Sequence, residues 1–161
     1  MHLPLPTFKT IIKSAPLISI DLIVQNTQDQ VLLGYRNNRP AQGFWFVPGG
    51  RILKDESMAA AFKRLTSIEL GAEFDITQAQ FIGPFEHFYT DNVTEEQFST
   101  HYIALAYRLL VDETQLQLPL DQHSQYTWMS VDELLIHPNV HKHSRWYFCS
   151  SELDPSTNYM D

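Results

Sequence analysis

Gly50-Arg51-Ile52-Leu53-Lys54-Asp55-Glu56, followed after seven residues by Arg64-Leu65-Thr66-Ser67-Ile68-Glu69-Leu70-Gly71, puts a glycine turn, an acid and a helix in fixed order. The helix is predicted over 57–70, because Met58, Ala61, Phe62, Leu65 and Ile68 recur at spacings near three and four and Gly71 supplies a stop. In front of it, Phe44-Trp45-Phe46-Val47 has the composition of a short strand, which Pro48-Gly49-Gly50 is expected to end.

Outward from this core, Phe8, Ile11 and Ile12 follow Pro6 and Thr7 at helical spacing, which predicts a short amphipathic helix ended before Pro16. Residues 17–25 and 31–35 are β-branched and apolar around the polar turn 26–30, and predict two antiparallel strands. Residues 37–43 have loop chemistry. Further strands are predicted over 80–89, 100–111 and 126–129, and further helices over 131–135 and 140–150. This order describes an α/β fold, an α/β/α sandwich around a mixed β-sheet.

The 161 residues, 43% of them hydrophobic, suffice for one core, so a single domain over 1–161 is expected. A formal charge of −8 argues against a protein that holds nucleic acid by a basic face, and leaves a small anionic ligand dependent on a cation or a few arginines. Lys9, Lys13 and Asp21 interrupt the apolar N-terminal stretch, and no window approaches a membrane span, so no membrane association is expected. Cys149 is the one cysteine, which rules out an intrachain disulfide and makes the cytoplasm the default compartment.

With its glycine, a glutamate at Glu56, an arginine at Arg64 and an acid at Glu69, the central stretch resembles the Nudix signature, a divalent-metal site at a strand-loop-helix junction. It departs from that signature where acids normally follow the arginine and precede the last glutamate, since Leu65 and Ile68 stand there. One carboxylate is enough charge for one Mg²⁺, an ion that takes oxygen ligands and leaves positions for water and phosphate. The depleted signature resembles one branch of the family, the GDP-mannose mannosyl hydrolases. So do the run 38–51, Leu17-Ile18-Ser19-Ile20-Asp21, His87-Phe88-Tyr89, Thr100-His101-Tyr102 and Gln122-His123.

That resemblance implies a Nudix fold, one Mg²⁺ per active site, a homodimer, and a small-molecule nucleotide sugar as substrate. The expected reaction is hydrolysis of a GDP-hexose to GDP and free sugar by water attack at the anomeric carbon, with inversion. The resemblance also implies the metal ligands: the Gly49 carbonyl, Glu69 and the Gln122 side chain. It makes His123 the general base, a role suited to an imidazole that is largely neutral near pH 7; taken alone, His123 reads as an exposed loop histidine. Arg36 and Arg51, expected in loops, and the Tyr102 hydroxyl are assigned to the diphosphate.

Asp21 interrupts an apolar strand, and a buried unpaired acid is costly, so it must face solvent, an ion pair or a ligand pocket. Sugar recognition or orientation of a cation is expected of Asp21, and sugar contact or charge stabilisation of His87. Glu56 is expected to pair with Arg64 rather than with metal. His141 and His143 are two apart, a spacing that splays rings on a helix and carries no second metal site. The aromatic group 146–148 is expected in the core or at a subunit contact. Two alternatives stay open: a nucleotide-sugar pyrophosphatase that attacks phosphorus, and a catalytically inactive module that binds nucleotide sugar.

Overall fold

The computed structural model describes residues 3–94, 96–119 and 123–149. A first helix α1, Leu5–Ser14, precedes strands β1, Leu17–Gln25, β2, Val31–Arg36, β3, Trp45–Phe46, and β4, Gly49–Arg51. Helix α2, Met58–Leu70, leads to β5, Ala79–Tyr89, β6, Thr100–Leu110, and β7, His123–Met129. Two short helices close the described chain, α3, Val131–Ile136, and α4, Lys142–Trp146. The predicted helix 140–150 is therefore five residues long: His141 caps it and Tyr147 leaves it.

The strands form one mixed sheet in the order β3-β2-β1-β6-β5, with β4 on β1 and β7 on β2. The two first strands pair antiparallel as expected, though their shared register is confined to Gln25 and Val31. Most of the pairing of β1 is elsewhere: it runs parallel to β6 along its whole length. Its other edge is taken by β4, with Asp21 opposite Gly49. The strand before Pro48 does stop, at Phe46, but the glycines after it are not only a turn: the Pro48 carbonyl accepts from the Leu22 amide at 2.8 Å, and the chain re-enters the sheet as β4. Glycine permits this close approach, since a Cβ on Gly49 would stand 2.4 Å from the Ile20 carbonyl oxygen.

Alternation along β1 builds the two faces of the sandwich. Ile20, Leu22 and Val24 pack in one core with Ala61, Phe62, Leu65 and Leu70 of α2, while Ile23 packs in a second core with Leu33, Phe85, Leu134, Val140 and Tyr147. The α/β/α sandwich with a mixed sheet is thus observed. α2 is delimited as the sequence predicts: the Ser57 hydroxyl accepts from the Ala60 amide, and Gly71 caps the far end at φ 67°. Among the described residues, no helix is long and apolar enough to cross a membrane.

Candidate active site

Asp21 lies two residues before Ile23 and so faces the layer that contains Tyr147, away from α2. It opens on a concave cleft whose lining also includes Arg36, Gly49, Arg51, His87 and Tyr102. Six expected site residues are brought together there from β1, β2, β4, β5 and β6. Arg36 and Arg51 stand at the end of β2 and in β4, not in loops, because the sheet extends further at both places than the turn residues suggested.

Glu69 is 2% exposed on α2, so it is not a solvated helix carboxylate. α2 packs against β4, whose Gly49 and Gly50 line the cleft. The two positions where the signature departs from the family pattern also part in space. Leu65 is 3% exposed within the core, and Ile68 is 45% exposed. Gln122 lies outside the described residues. His123 is described by its backbone, which opens β7 opposite Arg36.

The cleft's basic side is held without acids. Among the described residues, no carboxylate pairs with Arg36 or Arg51; the Arg36 guanidinium lies over the Phe46 ring at 5.2 Å, and that of Arg51 over Phe8 at 4.2 Å. Two positive charges braced by aromatic faces remain available to an anion. Burial pushes the Tyr102 hydroxyl above its ordinary range, opposed by the charges of Arg36 and Arg51, so it stays a proton donor towards such an anion.

The opposite side is organised by Tyr147. Its hydroxyl donates to Asp21 Oδ2 at 2.5 Å and lies 3.2 Å from His87 Nε2. Burial pushes the Asp21 carboxyl up to about 6, moderated by the Tyr147 hydrogen bond and then by Arg36. His87 is 2% exposed, and burial followed by the nearby His141 lowers it to about 3, which keeps it neutral. Its ring stacks on His143 with centroids 4.2 Å apart.

His141 and His143, expected to splay, converge with ring centroids 4.6 Å apart, because His141 has left the helical conformation as the cap of α4. Neither ring nitrogen of buried His143 has a hydrogen-bond partner among the described residues. Glu56 behaves as the sequence implied: Arg64 Nε donates to its Oε1 at 2.6 Å, and this pairing holds the carboxyl down at about 2. The residue that sequence reasoning missed is Tyr147, placed with the core aromatics. Its partner Asp21 is 126 positions away, and no local pattern reports such a contact.

The family comparison agrees with this fold. The NUDIX domain model matches residues 15–148. The low-salt glycan biosynthesis protein Agl8 of Haloferax volcanii is 37% identical over 142 residues, 88% of each chain. Among solved structures, the MutT protein of Methanosarcina mazei superposes with a TM-score of 0.67 at 24% identity, covering 84% of this chain and 92% of its own. The NUDIX domain of Shewanella oneidensis NrtR, solved with ADP ribose, gives 0.63 at 19% identity, covering 91% and 96%. At such identities these two structures speak to fold alone. The chain belongs to the Nudix hydrolase family and is an enzyme of that class.

Proposed function

We propose that the chain hydrolyses a GDP-hexose, GDP-mannose in the first instance, to GDP and free sugar by attack of water at the anomeric carbon. The observation that carries this is the core position of Leu65. Where the family signature has an acid, this helix offers an alkyl group packed on the sheet, so the metal charge needed to activate water against phosphorus is reduced. Nudix hydrolases generally use a divalent cation such as Mg²⁺. The oxygen donors of this chain suit one hard cation: the Gly49 carbonyl and the buried Glu69, with Gln122, outside the described residues, as a neutral third. When bound, that cation supplies charge neutralisation on the diphosphate.

The rest falls to side chains in and beside the cleft. Arg36, Arg51 and Tyr102 hold the diphosphate and stabilise the departing GDP. Asp21, anionic near pH 7, and neutral His87 face the sugar and favour the positive charge that develops on an oxocarbenium-like ring. His123 is the proposed base; His123→Gln is expected to lower turnover about 10²–10⁴-fold and leave GDP affinity nearly unchanged. A relative in glycan biosynthesis agrees with an activated-sugar substrate.

Hydrolysis of GDP-mannose in ¹⁸O-labelled water tests the reading directly. Label in the released hexose is expected. Label in a phosphate would instead establish a pyrophosphatase, and no turnover at high enzyme concentration with Mg²⁺ would establish a binding module.

A further inference from the structure

We propose that Tyr147 is a positioning residue for the site, coupling Asp21 to His87 and fixing which of their atoms each presents to the cleft. The proposal rests on the reading above that Asp21 and His87 face the sugar, and it adds a residue from the last described helical turn to that machinery.

The argument is one of hydrogen-bond counting. A phenol has one proton to give and lone pairs to accept with. Tyr147 is 7% exposed, and burial pushes its ionisation well above the ordinary range, so it retains that proton. The proton goes to Asp21 Oδ2 at 2.5 Å, the shorter of its two contacts. His87 Nε2, at 3.2 Å from the same oxygen, must then carry its own proton and donate it. A neutral imidazole has a single N–H, so Nδ1 is left as the acceptor. One hydroxyl thereby selects the histidine tautomer. It also engages one carboxylate oxygen and leaves Asp21 Oδ1 on the Gly49 side, where a Cβ on Gly49 would meet it at 3.0 Å. The tyrosine ring is itself held edge-on to Phe85 with centroids 4.7 Å apart, and Phe85 and His87 share a face of β5.

Tyr147→Phe keeps this ring packing and deletes the hydroxyl. With GDP-mannose and Mg²⁺, kcat is expected to fall about 10- to 100-fold, the worth of one hydrogen bond to a charged group, with KM changed less than about twofold. In an Asp21→Ala background, which deletes the acceptor, the same substitution is expected to cost less than about twofold further, because the partner it acts through has been removed. Independent, multiplying losses would overturn the coupling. The second arm needs no turnover. Imidazole ¹⁵N shifts of the wild-type protein are expected to show His87 as the Nε2–H tautomer, and those of Tyr147→Phe a mixture. Unchanged shifts in a folded variant would overturn the positioning role whichever bond the enzyme breaks, whereas failure of the GDP-hexose reading leaves this measurement standing.

Discussion

Arg64 closes on Glu56 through two hydrogen bonds, Nε to Oε1 at 2.6 Å and Nη2 to Oε2 at 2.8 Å, and the same Nη2 donates to the Arg51 carbonyl at 2.8 Å. Glu56 Oε2 also accepts from the Leu53 amide at 2.9 Å. One ion pair thus pins the loop between β4 and α2 at both its ends, and Arg51, which lines the cleft, belongs to the pinned segment. Glu56→Gln is expected to cost about 2 kcal/mol, the range for hydrogen bonds to charged groups, and to weaken GDP binding through Arg51. Urea unfolding and GDP titration check this; an unchanged midpoint would show that the pair contributes nothing.

Acidification is expected to destabilise the protein well above the carboxylate range. Burial holds His87 and His141 neutral down to about 3 and about 4, against 6.5 unexposed to such burial. Below pH 6.5 the unfolded chain binds protons that the folded chain refuses, so stability falls as pH drops towards 4. Asp21 acts with the opposite sign: raised from 3.8 to about 6 in the folded state, it adds stability as pH falls between those values. Glu56, lowered from 4.5 to about 2, adds a further loss below pH 4.5. The two histidines together outweigh Asp21, and His143, lowered by burial as well, deepens the net loss. Unfolding midpoints at about pH 7.5, 5.5 and 4 should decrease in that order; a flat profile would show that these rings are not held neutral.

The two glycines of β4 should differ in tolerance. A Cβ on Gly50 meets the end of the Leu65 side chain at 2.6 Å, whereas one on Gly49 meets the Ile20 carbonyl at 2.4 Å, which is backbone within the sheet. Leucine can rotate away and a paired strand cannot. Gly50→Ala is therefore expected to cost about 1–3 kcal/mol, the range for overpacking, and Gly49→Ala more, read from thermal melts. Equal costs would mean that the strand yields as easily as the side chain.

Restoring a signature acid with Leu65→Glu should not restore a second metal site. Leu65 is 3% exposed and packs with Ile20, Phe62 and Leu70, so a carboxylate there is desolvated. A loss of several kcal/mol is expected, since a buried unpaired charge is costly. A stable variant with tighter Mg²⁺ binding by calorimetry would refute this.

Periodicity and turn chemistry made much of the fold legible. Ser57, the apolar positions of α2 and Gly71 act within a few residues of one another, so their pattern can be read along the chain. The partnership of Glu56 and Arg64 was legible for the same reason: eight positions separate them. The strand at Gly49–Arg51 was not, because its stability comes from β1 and its own residues are those of a turn. Nor was the convergence of His141 and His143, which depends on where α4 begins.

By itself the sequence determined the family, through the ordered glycine, arginine and acids of 50–71, and named the candidate site residues. Tertiary structure alone decided which of them meet. Alternation along β1 turns Asp21 towards the layer of α4, and there Tyr147, 126 positions on, gives it a hydrogen bond and links it to His87. The same packing makes Leu65 a core residue and leaves Ile68 exposed. Composition names the groups present, but burial and distance set their protonation and their partners, and both are properties of the packed sheet.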